Sequence, residues 1–564
     1  MATDVQPVAV REQTGKQATA EGAVTFFRRV AVPILPAALL LAYLGQCAWF
    51  IQSQSFTYDE PVNILSGLEQ WRTGQYSGGL ALNDHPPLAR LLCTLPAINS
   101  RFQIRSDLAL PSPEALAWQT RPVNALLGAV LGLLLWLAAR SIYSTDAANF
   151  VLALFAFSPS LIAHFSLAAT NDGAMTLMLF ATVFQLCRWH RRPSWPQTIL
   201  LGSVLGGLLI AKASAVPFFG VAIILILVLK PDSIGIRPAE WNWKPALTAL
   251  VISFLIVWAA YRFHVSKVTL AASNIQVNVA IPKRPNPIIY HRSSAFHISI
   301  PVPAYEFVDG LKYQLKHEQG GHNAFLLGRA YVGGSKLYFP IVALLKWPTI
   351  VLLLFVAAIP LMLLRRTALP PDLVLWFSFP VLYFAFAEFA TLNLGERYIL
   401  PVYPFVLLFC GSLWQFTRGH RAVLLLLLGA LAVHVGDVLR FAPDDLSYFN
   451  LFVRPANSYK LLSDSNLDWG EGLIALRGYE RAHPNVPIHL AYFGEVDPAI
   501  YGIKFAPLMP DERASGTVIV SATHLSGQYL HDPNSYHWVL QYPRTTILNH
   551  TLYVFEVPDQ VQKP

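Results

Sequence analysis

The stretch VAVPILPAALLLAYLGQCAWFIQSQSFTY, residues 30–58, contains no Asp, Glu, Lys or Arg and is closed by Asp59-Glu60. A membrane-spanning helix requires about 20 mostly apolar residues, so this block holds one with length to spare. The pattern recurs: apolar blocks at about 123–139, 147–164, 173–187, 198–211, 213–229, 246–261, 339–364, 373–391, 398–416 and 422–439 bring the expectation to about eleven helices. Composition agrees, since 54% of the 564 residues are hydrophobic and 13% charged, against about 25% charged in soluble domains. An ordinary soluble enzyme, a disordered chain and a fibrous protein are excluded on those figures.

The net charge of +8 does not signify a nucleic-acid partner, because the cations sit at the ends of apolar blocks. Arg28-Arg29, Arg188 with Arg191-Arg192, Lys230, Arg365-Arg366, and Arg418 with Arg421 follow the positive-inside pattern. This predicts a cytoplasmic N-terminal segment (1–29), a multi-pass membrane region (30–440) and an extracytoplasmic α/β domain (441–564). Short alternating segments at 488–493 and 517–521, separated by turn signals, give that last assignment. Loops at about 52–122 and 264–338 are expected on the same outer side. The first block reads as a retained signal-anchor helix. Four cysteines carry neither a disulfide framework nor a CxxC metal site.

With so few charges, the remaining ionic residues stand out. Asp59-Glu60, Asp84-His85-Pro86-Pro87, Asp172, Lys212 and Glu396-Arg397 all fall at the outer face under this threading. Each also admits a structural role: an interfacial helix end for Asp59-Glu60, an N-cap for Asp172, snorkelling for Lys212, an interfacial anchor for Arg397. Their convergence on one face favours chemistry, because carboxylates serve as general bases or metal ligands while Lys and Arg hold phosphate.

These residues resemble the GT-C membrane glycosyltransferases of the protein O-mannosyltransferase and aminoarabinose transferase type. Tyr58-Asp59-Glu60 followed by Asp84-His85-Pro86-Pro87-Leu88-Ala89-Arg90 is similar to that superfamily's first outer loop. Thr170-Asn171-Asp172, the segment ending in Lys212, and Arg397-Tyr398-Ile399-Leu400-Pro401 look like its later motifs, and Gly321-His322-Asn323 and Ser463–Gly470 resemble bacterial members with an outer tail. Asn83 stands where the mannosyltransferases carry an acid, and no β-trefoil repeats occur, which argues against protein mannosylation.

The resemblance implies a mostly α GT-C helix bundle in the bacterial inner membrane, with its C-terminal domain periplasmic. It implies an inverting enzyme that moves a sugar from a polyprenyl-phosphate donor to a lipid, glycan or protein acceptor. Asp59 and Glu60 are then the catalytic acids, and Lys212, Arg397 and Arg90 hold donor phosphate. Asp84, His85 and His322 bind acceptor or a divalent metal, and Asp172 and Glu396 support them. The competing reading is a polytopic transporter or lipid flippase, whose charges lie near the bilayer midplane on broken helices.

Overall fold

The computed structural model describes residues 34–78, 81–100, 112–192, 194–220, 243–271, 276–279, 288–291, 297–364 and 373–559. Among these, four helices are long and apolar enough to cross a membrane: Ile34–Ser53, Pro113–Ile142, Leu400–Thr417 and Arg421–Leu439. Two bent pairs raise the number to six, and shorter apolar helices such as Trp195–Ala211 and Ala246–Ala260 pack alongside. The expected block at 213–229 lies largely outside the described residues. Outward-facing side chains such as Leu41, Leu126, Leu353, Leu425 and Leu426 remain exposed, the mark of surfaces whose solvent is lipid.

Two blocks expected as single helices are broken. Residues 147–164 divide into Thr145–Ala156 and Pro159–Phe165, bent by 63°, and residues 339–364 divide into Tyr338–Lys346 and Thr349–Pro360, bent by 114°. Proline causes both breaks: Pro159 and Pro348 lack an N–H and drive the residue before them out of the helical region. Ser158 and Trp347 accordingly adopt ψ near 108° and 138°.

Helix Asn171–Arg191 lies at the centre of the bundle, buried on almost every face. Helix packing around it is close. A Cβ at Gly128 would stand 2.0 Å from the Tyr43 hydroxyl, so only glycine lets Pro113–Ile142 approach the first span there.

The segment after residue 440 carries a five-stranded sheet in the order Arg544–Leu548, Leu552–Val557, Gly516–Ser521, Ile488–Ala491, Ala506–Pro507. The first three are antiparallel, the first two joined through Asn549-His550 in left-handed backbone, and the last three are parallel. No gap separates this sheet from the membrane helices. Residues 444–471 run back into the bundle, where the buried Lys346 ammonium donates to the carbonyls of Leu446, Tyr448 and Asn466 at 2.9, 2.6 and 2.7 Å. Asn450 bonds the carbonyls of Leu344 and Trp347. The tail is thus continuous with the helical core rather than hung from it.

Candidate active site

A cavity of about 650 Å³ opens where helix ends, both long loops and the tail meet. Its polar wall starts from three helix termini. Asp59 is the N-cap of Glu60–Thr73, but its side chain makes no capping bond; it accepts instead from Arg397 Nη1 at 2.9 Å. Lys212 ends Trp195–Ala211 in extended backbone, and its Nζ reaches Asp172 Oδ1 at 2.6 Å across to the first turn of Asn171–Arg191. The Tyr398 ring lies 4.2 Å from the same ammonium, and the Arg397 guanidinium lies 4.3 Å over Trp469. Two ion pairs, each held against an aromatic face, therefore face one space.

Asp84 and His85 also line the cavity, from the first loop. Burial resists ionisation of Asp84, but Arg90 at 2.6 Å outweighs it and holds the carboxyl down at about 2. Burial lowers the His85 imidazole to about 4, so it is neutral near pH 7. The second loop brings helix Tyr305–Gly320, whose Gln314 donates to the Asp84 carbonyl at 2.5 Å, and carries His317 and His322 into the cavity.

Three expected site residues stand elsewhere. Glu60 is fully buried outside the cavity, its carboxylate receiving Arg121 Nε and Nη2 at 2.9 and 2.7 Å, Thr57 N at 2.8 Å and Ala168 N at 2.6 Å. That shell leaves no lone pair for a substrate, so Glu60 secures the first loop. Arg90 does not line the cavity either; its donors go to Asp84, Asn63 Oδ1 and the Leu82 carbonyl. Glu396 is buried behind Arg397, accepting from the Ser160 hydroxyl.

Of the residues expected to bind a metal, Asp84 pairs through Oδ1 with Arg90 at 2.6 Å, and His322 Nδ1 stands 2.9 Å from the Asn323 carbonyl. Among the described residues no three His, Cys, Asp or Glu side chains converge as a ligand set.

The tail contributes a wall that was not expected. Phe493 stacks between Tyr58 and Tyr529, with centroids at 5.1 and 5.4 Å, and the Tyr529 hydroxyl donates to Asp464 Oδ2 at 2.6 Å. Burial raises the Asp464 carboxyl above its ordinary range. The stretch Ser463–Gly470 concentrates Asp464, Asp468 and Trp469, the one sign in the sequence of this wall. Asp468 locks that stretch to the sheet by accepting from Ser521 Oγ and Thr523 N. Gly395, at φ +96°, allows the close approach: a Cβ there would stand 2.7 Å from Ser465 Oγ.

Residues 114–264 match the family described as dolichyl-phosphate-mannose-protein mannosyltransferase. The match spans 151 of the 564 residues. Within it lie Asp172 and Lys212, while Asp59, Asp84 and Arg397 lie outside it. Among solved structures, the chain is similar to ArnT from Cupriavidus metallidurans bound to undecaprenyl phosphate, at 12% identity over 94% of this chain and 98% of that one, TM-score 0.46. It is also similar to the S. cerevisiae protein O-mannosyltransferase Pmt1-Pmt2 complex bound to the sugar donor, at 12% identity over 74% of this chain and 89% of that one, TM-score 0.48. A search of curated protein sequences finds no relative.

Proposed function

We propose that the protein is an inverting glycosyltransferase that moves a sugar from a polyprenyl-phosphate donor to a hydroxyl-bearing lipid, glycan or protein. It acts on the extracytoplasmic face of the bacterial plasma membrane. The observation that carries this reading is the pairing of Asp59 with Arg397 and of Asp172 with Lys212 around one cavity at the helix ends.

An acceptor hydroxyl is a poor nucleophile at neutral pH until a carboxylate takes its proton. Asp59 suits that role, with 39% of its side chain exposed against 7% for Asp172. As the acceptor oxygen bonds to the anomeric carbon from the face opposite the donor phosphate, the bond from that carbon to the phosphate oxygen breaks. The electron pair leaves with the polyprenyl phosphate, and the proton rests on Asp59. Lys212 and Arg397 hold the charge that accumulates on the departing phosphate, and Arg397 exchanges Asp59 for phosphate as the donor enters. Charges at helix termini, rather than within spans, favour this reading over transport.

The test is reconstitution of the purified protein with polyprenyl-phosphate sugars, measuring transfer or donor hydrolysis for the wild type and Asp59→Asn. Full turnover in the variant removes Asp59 as the base. No turnover of any lipid-linked sugar by the wild type removes the donor class.

A further inference from the structure

Helix Tyr338–Lys346 turns 114° from the span that follows it, so it runs along the end of the bundle rather than through it. With the residue before it, its exposed apolar positions are Leu337, Pro340 and Leu344, spaced three and four apart and hence on one face. A helix lying in water exposes polar residues instead. Apolar surface continues from this stripe. The Leu451 N–H donates to Thr349 Oγ1 at 3.2 Å, which sets the exposed Leu451 and Phe452 at the end of a span whose Leu353 and Val356 are exposed. Gly334 packs against the Ala390 carbonyl, beside Phe389, which is exposed at the end of helix Leu373–Glu388 together with that helix's Val381 and Phe386.

Four exposed cations border the surface: Arg329, Lys336, Arg454 and Lys460. The Leu327 N–H donates to the Leu461 carbonyl at 2.8 Å, which draws the turn before Arg329 to Lys460. The Lys336 and Lys460 ammoniums lie 5.4 and 5.6 Å from the rings of Phe389 and Tyr459. Residues 323–340 and 448–461 contain no Asp or Glu, and among the described residues none of the four cations forms an ion pair.

We propose that this patch lies in the headgroup region of the leaflet on the cavity's side and binds a phospholipid of net negative charge. Two observations select lipid as the occupant: the apolar stripe is continuous with the exposed flanks of two apolar helices, and unpaired cations bordering an apolar surface match a phosphodiester above its acyl chains. A zwitterionic headgroup brings its own cation beside the phosphate and gains less. The contact fixes the second loop and the tail, which wall the cavity, at the membrane surface. The inference rests on the membrane spans and not on the reaction proposed above.

Contact quenching in lipid nanodiscs tests this with the full-length protein carrying bimane at Leu344→Cys or Leu451→Cys; the four native cysteines are buried. The quenchers are phosphatidylglycerol and phosphatidylcholine brominated on the acyl chain. Per mole, the anionic lipid is expected to quench about fivefold more strongly. Replacing the four cations by Gln, or adding about 0.5 M salt, should equalise the two lipids without abolishing quenching. Bimane at Leu126→Cys, exposed midway along Pro113–Ile142, should be quenched alike by both lipids throughout, reporting an inserted bundle; if the Gln variant loses that signal, the salt series on the unsubstituted protein decides. Absence of quenching at Leu344 and Leu451, as when water, a second copy or another protein covers the patch, overturns the inference. Equal quenching by both lipids with the native cations, or an anionic preference that survives both their removal and salt, overturns it as well.

Discussion

Replacing Glu60 and Asp59 in turn separates two adjacent acids that the sequence presents as one motif. The Glu60 carboxylate accepts from Arg121, Thr57 and Ala168 with its side chain fully buried. Glu60→Gln removes the charge opposite Arg121 and turns an NH2 group toward existing donors. Breaking one side of such a buried pair costs about 3–5 kcal/mol, a large fraction of a typical folding free energy. Asp59 makes one ion pair with 39% of its side chain exposed, so Asp59→Asn should cost about 0–1 kcal/mol in stability. Its expected loss is in rate. Removing a general base lowers turnover about 10²- to 10⁴-fold, equivalent to about 3–5 kcal/mol in the barrier. Thermal unfolding in detergent, paired with single-turnover sugar transfer normalised to folded protein, measures both quantities. Glu60→Gln should melt early with near-normal turnover in the surviving fraction, and Asp59→Asn should melt normally and turn over poorly. A Glu60→Gln protein with wild-type melting and the rate of Asp59→Asn would refute the division of roles.

Other consequences are open to direct measurement. Lys346→Met leaves three buried carbonyls without their donor and should cost about 2–4 kcal/mol, seen as early melting and new proteolysis within 444–471; an unchanged melting curve would mean that the tail docks by other contacts. Burial raises the Asp445 carboxyl to about 8 from an ordinary value near 3.8, so the folded state retains a proton that the unfolded state loses. Stability from this group is full below about pH 4 and is lost as pH rises toward 8; Asp445→Asn should flatten that part of the pH–stability curve, and an unaltered slope would assign it elsewhere. For orientation, Cys substitutions at Gln52 and Ser515 should react with an impermeant thiol reagent from outside and one at Ser194 should not. The four native cysteines are buried and give little background. Labelling of Ser194→Cys from outside would invert the topology.

Much of the site was legible because charge is scarce in an apolar chain. Asp59, Asp84, Asp172, Lys212 and Arg397 could be picked out since each isolated ionic group in such a sequence needs a reason, and the structure brings them together around one cavity, Arg397 338 residues from Asp59. Glu60 and Arg90 carried the same signal for a different reason: each is buried and neutralises a partner, Arg121 or Asp84, and spacing along the chain does not report which charge another will meet. Asp464 lay within the Ser463–Gly470 stretch noted for its resemblance but was given no role, and Phe493 and Tyr529 were not singled out because tails of soluble character contain many aromatics.

The sequence by itself determined the solvent, since block length and charge depletion follow directly from the cost of unsatisfied backbone and buried charge in lipid. It did not determine which prolines break a helix, since Pro159 and Pro348 stand at bends while Pro122 and Pro380 lie inside helices. Tertiary structure alone decided which ion pairs form and that the tail closes the cavity. Those outcomes depend on packing between segments hundreds of residues apart, where a single buried lysine, Lys346, ties residues 446, 448 and 466 to a helix end.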